Sequence, residues 1–310
     1  MMPPKPKHWA LLLYLVVFWG FAFGLIAIAL EAFHPVALVW GRLTLGAIVM
    51  ACVLFYKRLS LPKGPVWLLR LLVLSVTGNV LPFVLIAWAE QHVASGEVGL
   101  LMALMPITTL VMGHYLLTHE KFTQQRMLGV FLGLAGVALL LGDDWWVYGG
   151  EMRLSGQLVT LLATFCYAAN GIYAKRLPVI DPVVLSAGSL TVGSILLLGP
   201  AMWFQDWGQS WGLSAPWFAL FVLGTMATGV ATWVYFIVVG EVGPGFLSTI
   251  NYLIPGVAFL VGIAVLGETA GWPQFMALLL ILSGVWLIQP RHPSLREAKV
   301  REAKVHPVKD

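Results

Sequence analysis

The feature that most constrains the fold of this chain is an internal repeat. Shifted by about 147 residues, the first half of the sequence aligns with the second half. The segment 41–46 (GRLTLG) aligns with 188–193 (GSLTVG), and further along Pro106 aligns with Pro255. The fold must therefore accommodate two copies of one structural unit in a single chain.

The composition indicates that both copies lie in a lipid bilayer. Hydrophobic residues make up 59% of the chain and charged residues 10%, against about 25% charged residues in a soluble domain. Each copy contains five apolar segments close to the ~20 residues that a helix needs to cross a membrane. Because a backbone in lipid must satisfy its own hydrogen bonds, these segments are predicted to be helices. The ten predicted spans are 10–30, 36–56, 71–89, 94–117, 125–142, 155–174, 183–204, 216–239, 245–266 and 272–289.

An odd number of spans in each copy predicts that the second copy runs upside down relative to the first. The predicted fold is an all-α membrane protein with ten transmembrane helices in two inverted five-helix repeats. Inverted repeats are typical of secondary transporters, with the substrate site between the halves near the bilayer midplane. The predicted parts are an N-terminal segment (1–8), the first repeat (9–142), a linker (143–154), the second repeat (155–289) and a basic tail (290–310).

The basic residues predict the orientation. With ten spans, only Arg153 among the 18 lysines and arginines falls in a loop on the opposite side, and only Arg42 lies well inside a span. This asymmetry predicts a multi-pass protein of the cell membrane whose two termini and lysine- and arginine-bearing loops face the cytoplasm. The linker 143–154 is predicted to lie on the opposite, periplasmic side. The asymmetry also explains the net charge of +4 without a nucleic-acid partner. The predicted partners are the lipid bilayer and a small-molecule substrate, and the sequence leaves the oligomeric state open.

Signatures of enzymes are missing from the sequence. It contains no glycine-rich phosphate loop, no His/Cys cluster with metal-ligand spacing and no nucleophile elbow. The prediction is a protein that is not an enzyme, with no cofactor, no metal and no catalytic residues.

Two stretches of sequence resemble the EamA-type transporters of the drug/metabolite transporter superfamily, and the resemblance extends over about 9–289. The first stretch includes 87–90 (AWAE) and 94–97 (ASGE) before Pro106, and the second includes 243–245 (GPG) before Pro255. The resemblance implies ten helices in two inverted halves and, for many members, export of amino acids or related metabolites. It also implies that spans one, three, four, six, eight and nine line a central cavity, which spans five and ten brace from the sides.

Polar and aromatic side chains within the spans are the candidates for substrate binding. Aromatic walls suit apolar side chains, and amides and hydroxyls can bind amino and carboxyl groups through hydrogen bonds. Hydrogen bonding between helices is an alternative role for each of them. The candidate substrate-binding residues are Trp19, Asn79, Tyr167, Asn170, Tyr235, Asn251 and Tyr252.

Pro106 and Pro255 are predicted hinges. A proline removes a backbone hydrogen bond and kinks a helix, and neighbouring helices can satisfy the carbonyl that it frees. Two kinks at equivalent positions suit a transporter whose helices bend at the midplane. Static kinks that only assist packing are the alternative.

Charged residues within or next to the spans are few. Glu97, in the first turn of span four, is a candidate proton-linked group, although the helix dipole alone would also favour a carboxylate there. Arg42 is expected to be structural, since it lies near the outer end of span two and can snorkel. Glu90 is expected in a loop, and Glu120 and Glu268 are expected to cap the helices that follow them.

The predicted function is a secondary transporter that exports small zwitterionic or neutral metabolites, with amino acids preferred, by alternating access. The middle of the six cavity spans contains no lysine or arginine, and a carrier of phosphorylated sugars needs such cations. A carrier of drugs or toxic compounds is the alternative, and a channel or a membrane protein without transport activity is a more distant one. The sequence specifies neither the substrate nor the coupling ion.

Overall fold

A computed structural model describes residues 3–116, 123–147, 151–207 and 215–288. Within those ranges the regular secondary structure is helical and no strand occurs, which confirms the all-α prediction. Seven helical stretches are long and apolar enough to cross a membrane by length and composition, and Ile250–Leu266 and Trp272–Ile288 are shorter apolar helices. The count of ten spans and their inverted arrangement stay predictions.

The helices follow the predicted spans closely, with several interruptions inside them. They are α1 (Pro6–Leu30), α2 (Pro35–Tyr56), α3 (Pro65–Ser75), α4 (Leu81–Ala89), α5 (Ser95–Met102), α6 (Met105–Leu116), α7 (Gln124–Val147), α8 (Glu151–Lys175), α9 (Pro182–Phe204), α10 (Ala215–Val222), α11 (Ala231–Glu241), α12 (Pro244–Leu247), α13 (Ile250–Leu266) and α14 (Trp272–Ile288). Two π-helical segments, π1 (Val76–Val80) and π2 (Leu223–Val230), join α3 to α4 and α10 to α11.

The two π-helical segments occupy corresponding places in the two repeats, and local chemistry accounts for each. Pro82 lacks an N–H and its ring would clash with the carbonyl four residues earlier, that of Gly78, so the helix widens through π1. In π2 the Thr228 hydroxyl donates to the Leu223 carbonyl, five residues earlier, at 2.8 Å. π-Helical turns are frequent at functional sites.

Corresponding helices of the two repeats make equivalent contacts with the opposite repeat. Helix α1 packs on α13 of the second repeat, and α8 packs in the same way on α5 and α6 of the first. The corresponding helices α2 and α9 pack against each other, as do α7 and α14. The last pair is close, because a Cβ on Gly284 would meet the Gly129 carbonyl oxygen at 2.5 Å.

Large apolar side chains are exposed around the outside of the bundle, among them Ile195, Phe218 and Leu260. Such a surface is unfavourable in water and suits contact with lipid tails.

The helix interruptions lie close to the two predicted hinges but not at equivalent positions. A turn at Ala103–Leu104 separates α5 from α6, and Pro106 is the second residue of α6. In span nine the turn falls at Ser248–Thr249, and Pro255 lies inside the continuous helix α13. Both predicted spans, 94–117 and 245–266, are therefore helical with a turn inside them. Bending at either proline stays a prediction.

We call the end of the bundle where α1 begins the N-terminal face, and the other end the distal face. The α4–α5 connection and the segment after α13 lie at the distal face.

Candidate functional site: a central cavity

A cavity of about 500 Å³ lies between the two repeats. Both π-helical segments contribute to its wall, together with α1, α2, α4, α5, α6, α8, α11, α12 and α13. The lining residues described include none from α7 or α14. The six spans that the family resemblance implied as lining all contribute, and the described residues of the two bracing spans do not; span two contributes Arg42 in addition. The cavity volume falls within the range of about 300–1,000 Å³ of small-molecule sites.

Five of the seven candidate substrate-binding residues come together on this wall: Trp19, Asn79, Tyr167, Tyr235 and Asn251. The Trp19 and Tyr235 ring centroids are 5.9 Å apart, and Trp19 Nε1 donates to the Ala227 carbonyl in π2 at 2.9 Å. The Asn79 amide nitrogen donates to Ser189 Oγ on α9 at 3.3 Å. The two hinge candidates, Pro106 and Pro255, also line the cavity.

The other two candidates, Asn170 and Tyr252, are not among the residues that line the cavity. Asn170 Oδ1 accepts a hydrogen bond from the Thr77 hydroxyl at 3.1 Å, and its amide packs against Gly78 so closely that a Cβ there would meet it at 2.6 Å. The Tyr252 hydroxyl lies 3.5 Å from the Val285 carbonyl on α14. In this structure both side chains join helices, which was the alternative role for each.

Arg42 is the cavity residue that sequence reasoning treated as structural. The side chain is 7% exposed and lines the cavity. Its Nε donates to Thr228 Oγ1 at 2.8 Å, and its guanidinium lies 4.0 Å from the centroid of the Phe83 ring. The side chain therefore extends inward to π2, instead of snorkelling to the distal face. Among the described lining residues it is the only cation.

Glu97, the candidate proton-linked group, is held in a tight pair. One carboxylate oxygen accepts from Arg153 Nη2 at 2.7 Å and the other accepts from Gln157 Nε2 at 2.6 Å. The side chain of Glu97 is 4% exposed and that of Arg153 is 31% exposed, so the pair joins α5 to α8 at the distal face. Arg153 is the basic residue that departs from the charge asymmetry, and Glu97 is its counter-ion.

Glu268 forms a contact between the repeats. Its carboxylate accepts from the Ser95 backbone N–H and hydroxyl, both at 2.7 Å, and from the Gly96 N–H at 3.0 Å. Gly267, with a φ of +67°, ends α13 in the left-handed conformation that glycine adopts easily and turns the chain toward α5. The expected cap is thus real, but it caps α5 of the first repeat instead of the helix that follows Glu268. Glu120 lies outside the described residues.

Glu90 follows directly after α4, and its environment differs from the loop that the sequence suggested. Both of its carboxylate oxygens are inaccessible to solvent and have no hydrogen-bond partner among the described residues. Burial raises the pKa of this carboxyl well above its usual range, and the nearby Glu268 carboxylate raises it further, whereas Arg42 lowers it. The sequence favoured Glu97 over Glu90 as the proton-linked group, because it could not show which side chains of other helices face each carboxylate.

With this geometry in place, comparison with known proteins identifies the family. The model of the EamA-like transporter family matches the chain twice, over residues 7–142 and 154–289. The chain belongs to the EamA-like transporter family. This confirms the resemblance seen in the sequence, and it makes the protein a multi-pass membrane transporter of small molecules.

The transporter is similar over most of its length to proteins of several organisms. It is 26% identical over 287 residues to the uncharacterized inner membrane transporter YedA of Escherichia coli K12, covering 88% of each chain. It is 27% identical over 302 residues to a probable terminal-alkyne amino-acid exporter of Streptantibioticus cattleyicolor, covering 91% of this chain and 93% of that protein. A solved crystal structure matches with a TM-score of 0.65 at 17% identity, covering 92% and 98% of the two chains, which supports the fold alone.

Proposed function

We propose that this transporter exports small zwitterionic or neutral metabolites, preferably amino acids, through the central cavity by alternating access. The observation that carries the proposal is one buried guanidinium, that of Arg42, in a wall whose other described residues carry no charge. An exporter of amino acids among its relatives is in keeping with this choice of substrate.

The chemistry of the wall suits an amino acid. The Arg42 guanidinium has donors left for a substrate carboxylate once Nε is bonded to Thr228. Aromatic rings of Trp19 and Tyr235 offer an apolar surface for the side chain, and the Asn251 amide can accept from the amino group. A single cation is a weak clamp for a phosphate dianion, whose recognition usually draws on several charge-assisted hydrogen bonds.

The packing of the repeats supports alternating access. Five predicted spans in each repeat would give the halves opposite orientations, and the equivalent contacts that each half makes with the other are in keeping with a pseudo-two-fold relation. Rocking of one half against the other then opens the cavity to each side in turn. The distribution of basic residues supports a cell-membrane location with both termini in the cytoplasm.

Transport in proteoliposomes tests the proposal. Purified protein is reconstituted, loaded with an unlabelled amino acid and presented with the same labelled amino acid, over a panel that includes phenylalanine, leucine and glucose 6-phosphate. We expect saturable uptake that is accelerated by amino acid on the trans side, as a carrier requires. Flux of glucose 6-phosphate without flux of any zwitterion would contradict the substrate class. Flux that neither saturates nor responds to trans substrate would indicate a channel instead.

Efflux of lipophilic cations is the competing function within the family, and the charge of Arg42 disfavours it. Cells that overexpress the protein should gain resistance to toxic amino-acid analogues and not to ethidium. The reverse pattern would favour drug efflux.

A further inference from the structure

Glu90 stands apart from the other buried carboxylates at the distal face. Glu97 accepts hydrogen bonds from two side chains, and Glu268 accepts three from α5. Both Glu90 oxygens are inaccessible to solvent and accept no hydrogen bond from the described residues. An ionised carboxylate buried without a hydrogen bond is strongly destabilised, and such a group takes up a proton instead.

The position of Glu90 connects it to the cavity. Its backbone N–H bonds to the Ile86 carbonyl at 3.0 Å, so the helical geometry of α4 extends to it. Asn79, Phe83 and Ile86 line the cavity, and Glu90 continues the same row at the i, i+4, i+7, i+11 spacing of one helix face. Glu90 therefore lies one turn beyond the cavity wall, toward the distal face.

The charged groups around Glu90 come from several elements. Arg42 on α2 and Glu268 after α13 both influence it electrostatically. On its own segment the His92 ring packs on Trp88, with centroids 4.5 Å apart. Other titratable and charged residues of the neighbouring elements at this face are the Glu97–Arg153 pair of α5 and α8, the exposed Glu31 after α1 and the exposed His34 before α2. Tyr167 lies deeper, on the part of α8 that lines the cavity.

We propose that Glu90 is the proton-binding site that couples transport to a proton gradient, an inference that rests on the proposed carrier function. One proton from water binds the carboxylate to form the neutral acid, and the same proton leaves when the site is hydrated from the other side. The neutral acid is compatible with the dry environment seen here, whereas the carboxylate favours conformations in which water or Arg42 reaches it. Each unit by which the pKa differs between two conformations shifts their equilibrium tenfold.

A first experiment requires no substrate. Dicyclohexylcarbodiimide modifies protonated carboxyl groups in apolar surroundings, and mass spectrometry of the membrane-embedded protein locates the modification. We expect modification at Glu90 that persists at pH values at which an ordinary glutamate is ionised and that declines about tenfold per pH unit above the pKa of Glu90, with far less at the paired Glu97. Absence of modification at Glu90 between about pH 5 and 9, or equal modification of Glu97 and Glu90, would overturn the proposal whether or not amino acids are transported.

A second experiment measures coupling in proteoliposomes with labelled phenylalanine. Wild type and the control Glu31→Gln, which alters an exposed carboxylate at the same face, should accumulate substrate against its gradient when a pH gradient is imposed. Glu90→Gln should abolish accumulation while exchange of phenylalanine at equal pH continues. If Glu90→Gln still accumulates substrate in response to the pH gradient, Glu90 is not the coupling site.

Glu90→Asp covers the case in which the glutamine variant does not fold. It keeps the carboxyl group, so its exchange should persist with a shifted pH midpoint in a preparation that elutes as a single peak. An unchanged pH profile in Glu90→Asp also refutes the assignment.

Discussion

Replacing Arg42 by glutamine removes the only cation from the described cavity wall, and its consequence can be estimated from the structure. The Thr228 hydroxyl keeps its own bond to the Leu223 carbonyl at 2.8 Å, so the variant buries no unsatisfied hydroxyl donor and we expect it to fold. A hydrogen bond to a charged partner contributes about 1.5–3 kcal/mol. Since every 1.4 kcal/mol is tenfold in affinity, the KM for an amino acid should rise by about 10- to 150-fold.

Comparing phenylalanine with phenethylamine isolates this interaction, because the amine lacks only the carboxylate. Arg42→Gln should weaken counterflow of phenylalanine and leave that of phenethylamine nearly unchanged. Arg42→Lys keeps the charge but loses the Nε bond to Thr228, so its KM should fall between wild type and the glutamine variant. If the KM of phenylalanine is the same in wild type and Arg42→Gln, or if both substrates weaken equally, Arg42 does not bind the carboxylate.

Three further predictions concern bending and stability. Pro255→Ala should lower turnover in counterflow with little change in KM, because it restores a backbone N–H inside α13 and straightens that helix. Pro106→Ala should act in the same direction, because it allows α6 to extend back over the turn at Ala103–Leu104; a change confined to KM would argue against hinges. Glu97→Gln removes the negative charge from the pair with Arg153, and because the Arg153 side chain is 31% exposed thermal unfolding in detergent should show a loss of about 1–3 kcal/mol, whereas an unchanged Tm would indicate a pair that contributes no stability. Gly284→Ala places a methyl group against the backbone of α7 and should cost about 1–3 kcal/mol, visible as a lower Tm with unchanged substrate selectivity.

The helical fold could be predicted from the sequence because its causes are local. Apolar segments of membrane-spanning length with few charges specify helices wherever they occur, and this pattern recurs along the chain. The aromatic and amide residues that form the wall could be predicted for a related reason. Polar groups within spans avoid lipid, so candidates such as Asn79 and Tyr167 were expected inside the bundle, where the structure has them.

The internal repeat also indicated which helices of the two halves are equivalent. It aligned span three with span eight, and the structure has a π-helical segment in each of them at the cavity wall. Sequence reasoning did not predict these segments, although Pro82 offered a signal for π1. The helix break before Ile250 lacked any comparable proline signal, since Pro255 lies inside the continuous helix that follows it.

By itself the sequence determined a helical membrane protein of two copies with polar and aromatic side chains inside the bundle, since those properties depend on composition and on the internal repeat; its resemblance to a known family indicated a transporter. Only the tertiary structure decided which partners the charged side chains have. It turned Arg42 inward to Thr228, 186 residues away, paired Glu97 with Arg153, and bonded Glu268 to α5 in the other repeat. Glu90 was left without a partner among the described residues. The role of a buried ionisable group depends on which side chains and amides reach it across the bundle, and neighbours that are far apart in the chain meet only when the helices pack.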